Sequence, residues 1–386
     1  MLKKLLLTGA VMASMAGTAL GQDSYVVGIS GALTGPGAGT YAPVIEAVRM
    51  YFDKVNKAGG INGHKVDLVA LDNQSNPSKA AADTKRLLLQ DNALIIVNSS
   101  LSSTYEPMIN ETNRAGAPLL FGGSVCPTQV FPKADPLLFC TTSFGAHYDS
   151  NMALAFIKQA AKEDVMIGFS AMAIPVSRGE IDYAEEQAPK MGFKPVAKEI
   201  IPPPTANYGP HAVKIKDAGA NWVYSWAPWV TQIKTFEALR TQGWGGKMIA
   251  FGHINAEDEL ARVKDDGFYV FGANALFQEG LPIHKEIEET AKAAGATFPV
   301  TQLAEGWVVA MALDAALTKT GWPASREKLA AVMNDLEIDT KGLRGGPVKW
   351  TADNHFRTNA FYRVYRWDSA KNAIVSESDW VSFPVN

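Results

Sequence analysis

Residues 25–88 read YVVGISGALTGPGAGTYAPVIEAVRMYFDKVNKAGGINGHKVDLVALDNQSNPSKAAADTKRLL. The β-branched run over 25–30 predicts a strand. A Gly/Thr/Pro loop, 31–40, follows it. Val44, Val48, Tyr51 and Val55 then recur at helical spacing, and Gly59-Gly60 stops the helix. A second strand is expected over 66–71. Asn76 and Pro77 are a good cap and first residue for a helix over 78–90. Strand, helix and strand in this order make a βαβ unit, which demands a parallel sheet.

Working outward, the alternation continues through strands at 94–97 and 118–121. It then starts again: helix 149–162, strand 165–170, helix 179–190, strand 196–201, strand 222–226, helix 230–241 and strand 248–251. Two successive series predict an α/β protein with two sheets and two lobes. The apolar helix at 302–318 and the strand at 361–367 come last and must be shared between them.

The first 21 residues, MLKKLLLTGAVMASMAGTALG, carry Lys3 and Lys4 ahead of a short apolar run, with small residues at Ala19 and Gly21. This is the pattern of a cleavable signal peptide, so an exported, periplasmic protein is expected. Of the 386 residues, 47% are apolar and 19% charged, an ordinary globular balance. Net charge is −3 without a long basic run, which argues against a nucleic-acid partner. Export permits disulfides. A bridge between Cys126 and Cys140 would close a short loop and contribute about 3 kcal/mol in the chain-entropy model; two buried thiols are the alternative.

Catalytic signatures fail one by one. Gly28-Ile29-Ser30-Gly31 has the wrong order for a nucleophile elbow. Gly35-Pro36-Gly37-Ala38-Gly39 lacks the spacing of a dinucleotide loop, and Pro36 interrupts it. The six histidines, at 64, 147, 211, 253, 284 and 355, form no metal-binding pair, so neither a metal nor a cofactor is expected. A cleft-closing receptor fits better than an exported α/β enzyme.

The quoted block resembles the start of type I periplasmic substrate-binding proteins of ABC importers, in the leucine/branched-chain amino-acid-binding branch. Leu33-Thr34-Gly35-Pro36, Asn56 with Gly59-Gly60-Ile61-Asn62-Gly63, and Asp72-Asn73 with Asn76-Pro77 carry the resemblance. Ser102-Ser103-Thr104 with Pro107, and Gly345-Gly346-Pro347-Val348, extend it. It implies two Rossmann-like lobes joined by three crossings, near 143–145, 273–275 and 345–348. Lobe one would comprise 23–144 and 275–345, lobe two 145–274 and 346–386. It also implies a small ligand held between the lobes, a membrane permease as partner, and no catalysis; a monomer is expected.

By the same resemblance, Ser102 matches the serine that grips a ligand carboxylate, beside Ser103 at a helix start. Gly123 and Ser124 stand where relatives carry a small residue and then a threonine, the threonine position itself falling on Val125. Tyr41, next to Thr40, takes the place of an aromatic. Relatives hold an ammonium with a glutamate after the strand at 248–251. Here that loop is Gly252-His253-Ile254-Asn255-Ala256, and Glu257 comes too late. An unpaired ammonium in a closed cleft is costly. Arg178 either pairs a second acidic group or lies on the surface. In Trp222-Val223-Tyr224-Ser225-Trp226-Ala227-Pro228-Trp229, Trp222 and Tyr224 are expected in the core, Trp226 and Trp229 at the cleft. Together with His253 these residues favour an aromatic monocarboxylate of the benzoate or phenylpropanoid kind. Branched-chain or other amino acids are the alternative.

Overall fold

The computed structural model describes residues 24–142, 145, 147–252 and 256–385. The signal-peptide pattern and His253 lie outside them. Five parallel strands form the first sheet: β1 (Ser24–Gly31), β2 (Lys65–Asp72), β3 (Ile95–Ser99), β4 (Leu119–Phe121) and β5 (Leu138–Cys140), in the order β2-β1-β3-β4-β5. Their βαβ connections are α1 (Ala38–Lys57), α2 (Pro77–Leu89) and α3 (Tyr105–Ala115). The Asn76 side chain accepts from the N–H groups of Ser78 and Lys79, so the expected cap starts α2. Asp72 closes the loop after β1, accepting from the backbone N–H groups of Leu33, Thr34 and Gln74.

The second sheet contains β6 (Met166–Met172), β7 (Lys194–Ile201), β8 (Trp222–Trp226), β9 (Lys247–Phe251) and β10 (Phe268–Gly272). After them comes a small antiparallel pair, β11 (Leu336–Ile338) with β12 (Val348–Trp350). The C-terminal strands β13 (Asn359–Asp368), β14 (Ala373–Ser376) and β15 (Val381–Pro384) complete the sheet, with β13 antiparallel to β10. The order is β14-β13-β10-β9-β8-β6-β7, and β15 pairs with β13. Helices α4 (Tyr148–Ala160) and α5 (Pro175–Gln187) belong to this second lobe. The long apolar helix is Ala304–Thr320; it is buried almost all round because it packs against α1 in the first lobe.

Where the chain passes between the sheets, one buried ion pair ties the passes together. Arg344 and Glu305 meet at 2.7 Å with side chains 2% and 0% exposed. The same guanidinium donates to Asn274 Oδ1 at 3.3 Å and to the Thr141 carbonyl. Ala275 N–H donates to the Leu343 carbonyl at 2.7 Å. The expected lobe boundary at 345/346 needs correction, because β12 and the turn after it return to the first lobe. Trp350 Nε1 donates to the Cys140 carbonyl at 2.9 Å, and Cys140 N–H to the His355 carbonyl at 3.1 Å. The third pass is therefore drawn out over 344–359. Cys126 and Cys140 are disulfide-bonded, with Cα atoms 5.6 Å apart.

Removing the guanidinium would strand a buried carboxylate. Arg344→Met is expected to lower unfolding free energy by about 3–5 kcal/mol, read by urea denaturation. The double variant Arg344→Met/Glu305→Leu should recover a large part of the loss, since it leaves no uncompensated charge.

Candidate functional site

The lobes meet face to face. Ala32, Tyr41 and Leu101 of the first lobe pack with Met172, Ile174 and Ala227 of the second in one buried cluster. Val176 N–H points at Ser102 Oγ across this seam at 3.5 Å, a long and weak contact. The cleft is thus closed. Beside the seam lies a cavity of about 440 Å³, bounded by Ser102, Ser103, Tyr105, Val125, the Cys126–Gln129 turn, His147, Pro175, Val176, Glu180 and Trp226. A smaller void of about 10 Å³ adjoins it through shared walls at Val125, Val176 and Trp226, and adds Tyr41, Ile174, Ser177 and Phe251. That is room for one water molecule.

Two helix starts flank this space. Ser102 opens a 3₁₀ turn, Ser102–Thr104, that runs directly into α3. From the other lobe α5 begins at Pro175, whose ring suits the first helical position. The first N–H groups of a helix lack intrahelical acceptors and carry its positive dipole end. No Lys or Arg is among the described residues lining either void.

Trp226 ends β8, so its indole reaches the cleft floor, where it stacks on Phe251 with centroids 4.8 Å apart. Its Nε1 donates to Asp149 Oδ2 at 2.9 Å. Asp149 also accepts from Gly145 N–H at 2.9 Å and from the Tyr362 hydroxyl at 2.6 Å. Arg357 donates to that same hydroxyl at 3.0 Å. Glu180 lies next to this network and accepts from Ser150 N–H, the Ser150 hydroxyl and His147.

The expected site residues divide. Ser102, Ser103, Tyr41 and Trp226 line the two voids. Gly123 sits with positive φ against Val44, outside them. Ser124 is buried and its hydroxyl is engaged by Asn98 and Ser100, binding the end of β3 to the loop after β4; it does not face the cavity. Trp229 is corrected from cleft to core: it is 3% exposed and stacks on Phe268 inside the second lobe. The reason is helical phase, since as first residue of the helix Trp229–Thr241 it points with Ile233 and Phe236 toward the sheet. Arg178 is exposed and lines neither void. Glu257 accepts from Phe277 N–H at 2.9 Å instead of facing the ligand space.

Sequence reasoning missed Tyr105, Asp149 and Glu180, and of the Val176, Ser177 and Arg178 that the loop after the 165–170 strand offers it singled out Arg178 and not Ser177. A helical signal was available, since Ser177, Glu180, Ile181 and Ala184 form the buried face of α5 and Arg178 falls between them.

The chain is a bilobal α/β receptor with its candidate site at the carboxyl ends of the strands, the usual binding place on open sheets. It belongs to the Periplasmic binding protein family, whose model matches residues 24–372. An "Amino acid binding protein" of Pseudomonas aeruginosa is 26% identical over 70% of this chain and 72% of its own. A branched-chain amino-acid ABC transporter structure from Thermus thermophilus with bound valine aligns with TM-score 0.81 at 15% identity, covering 94% of this chain and 97% of that one. A solute-binding protein from Rhodopseudomonas palustris in complex with 3,4-dihydroxybenzoic acid aligns with TM-score 0.78 at 16% identity, covering 94% and 98%.

Burial, and then the charge of Glu180, push the Asp149 carboxyl up to about 7, against the pull of Arg357, Tyr362 and Trp226. A carboxyl raised above its unfolded value contributes stability at low pH that is lost as pH rises through the folded pKa. His147, raised by its bond to Glu180, acts in the same direction. The contributions of Asp149 and His147 therefore fall as pH rises from 5 to 8, while those of His284 and His355, held below the usual imidazole range by burial, rise; Asp149→Asn should make the Tm-against-pH slope more positive than that of the wild type in a calorimetric series.

Proposed function

We propose that this protein is exported to the periplasm, traps a small aromatic monocarboxylate between its lobes and delivers it, unreacted, to a membrane permease. The observation that carries the ligand class is the chemistry around the cavity. An indole wall, Trp226 backed by Phe251, adjoins two helix starts that suit one carboxylate. The absence of Lys and Arg from the described lining disfavours a dicarboxylate. Trp226 offers its ring and not its N–H, which Asp149 already holds. The likeness to a dihydroxybenzoate-bound structure is compatible with this reading but carries the fold alone.

A second reading has one observation in its favour. Glu180 lines the cavity and would give an α-amino acid the carboxylate that the loop after β9 lacks. Against it, both Glu180 oxygens already accept hydrogen bonds from Ser150 and His147. An ammonium would have to displace these donors.

Calorimetry on refolded, ligand-free protein with leucine, benzoate, 4-hydroxybenzoate and cinnamate separates the two. The expected outcome is binding of at least one aromatic acid and none of leucine. Trp226→Ala should then weaken that acid by about 1–3 kcal/mol through lost burial and stacking. Tight leucine binding that Glu180→Gln abolishes, with no response to the aromatic acids, would establish the amino-acid reading instead.

A further inference from the structure

Buried side-chain atoms without a hydrogen-bond partner among the described residues are mostly single hydroxyls or ring N–H groups, as at Thr40, Ser99, Ser225 and Trp307. Arg357 differs in kind. It is 3% exposed, and neither its Nε–H nor its Nη1–H groups find an acceptor. Its Nη2 donates to the Tyr362 hydroxyl at 3.0 Å, and that hydroxyl donates on to Asp149. The guanidinium therefore reaches a carboxylate only at second hand. The Phe356 ring lies under it, with the ring centroid 3.7 Å from Cζ. Stacking covers the face of the guanidinium, while its N–H groups point outward in the plane and stay unmet. A buried cation without a charged partner or full hydrogen bonding is costly.

Arg357 also lines a void of about 10 Å³, the size of one water molecule, where the chain changes lobe. Thr141 and Thr142 wall this void ahead of the first pass, Arg344 and Gly346 in the third, and Asn359 at the end of the third. Two arginines border it, and among the described residues no Asp or Glu does. The Arg344 charge is answered by Glu305, which accepts two bonds from Nη2 at 2.9 and 2.7 Å. The Arg357 charge has no such answer. Asn359 is exposed, which gives the void a rim at the solvent.

We propose that this void is a binding site for one monoatomic anion, chloride in ordinary media, held by the unpartnered N–H groups of Arg357 between the first and third passes of the chain. Its size decides the class of ion. A halide is little larger than a water molecule, whereas carboxylate, phosphate and sulfate groups do not fit. The site is thus distinct from the larger cavity between the lobes, and nothing in it depends on which solute that cavity takes. A water molecule accepts the same hydrogen bonds but leaves the buried charge uncompensated; a halide supplies both the acceptor and the charge. An ion bound to the folded chain and not to the unfolded one stabilises the fold by mass action.

The test uses the full-length protein, with bromide and chloride as probes. Crystals of the wild type grown in sodium bromide should show an anomalous peak at hydrogen-bonding distance from Arg357 Nε or Nη1. In solution, sodium chloride should raise Tm by about 2 °C or more over sodium gluconate at equal ionic strength, and the rise should saturate. Arg357→Gln should abolish both the peak and the salt difference. A wild-type void that is empty or holds only water overturns the proposal. A bromide peak without a chloride-dependent rise in Tm means an adventitious ion only, and overturns it as well. A rise that persists in Arg357→Gln places the ion elsewhere and has the same consequence. The bromide crystal needs no variant, so the proposal stays open to refutation even if Arg357→Gln fails to fold.

Discussion

The architecture depends on the Arg344–Glu305 pair. Two charges taken out of water at 2.7 Å are tolerable only because Asn274 and the Thr141 carbonyl complete the guanidinium's hydrogen bonds. Those partners come from separate passes of the chain between the sheets. A single side chain therefore sets how the first lobe's last strand, the β10 exit and the C-terminal segment lie against one another. The knot keeps the connecting segments in a fixed relation to one another, which is what a hinge requires.

On this frame the cleft chemistry follows from where elements end. Parallel strands deliver their following helices with N-termini toward the same edge, so α3 and α5 approach the seam from opposite lobes. Trp226 closes the floor, and its orientation is set by Asp149 beneath it. Asp149 in turn is linked through Gly145, Tyr362 and Arg357 to the region where the chain changes lobe.

The local periodicities were legible where one face of an element is buried and the other wet. The strand, helix and capped helix of residues 25–88 appear within a residue or two of expectation, except that α1 begins several residues earlier, at Ala38. Strand β10 was missed: Phe268–Gly272 is a five-residue apolar run without alternation, because both of its faces are covered. The strands β14 and β15 were missed because they are four residues long and lie at the rim of the sheet, partly or fully exposed, too short to show a period. The return of β12 to the first lobe left no local signal, since it depends on the bond that Trp350 donates to the Cys140 carbonyl and the one that Cys140 N–H donates to the His355 carbonyl.

The sequence by itself determined the α/β class, the two lobes and the placing of Ser102 at a helix start, because each follows from residues near one another in the chain; the Cys126–Cys140 bond, left open against two buried thiols, was decided by the structure. Tertiary structure alone decided which side chains meet at the cleft. Trp226 and Trp229 are three residues apart, yet the end of a strand sends one to the wall of the inter-lobe cavity and the phase of a helix sends the other into the core. Likewise Arg178 lies between Ser177 and Glu180 and faces solvent while they face inward. Selection of a face depends on what packs opposite, and those partners come from segments 74 to 213 positions away, as in the Val176–Ser102, Trp226–Asp149 and Tyr362–Asp149 contacts.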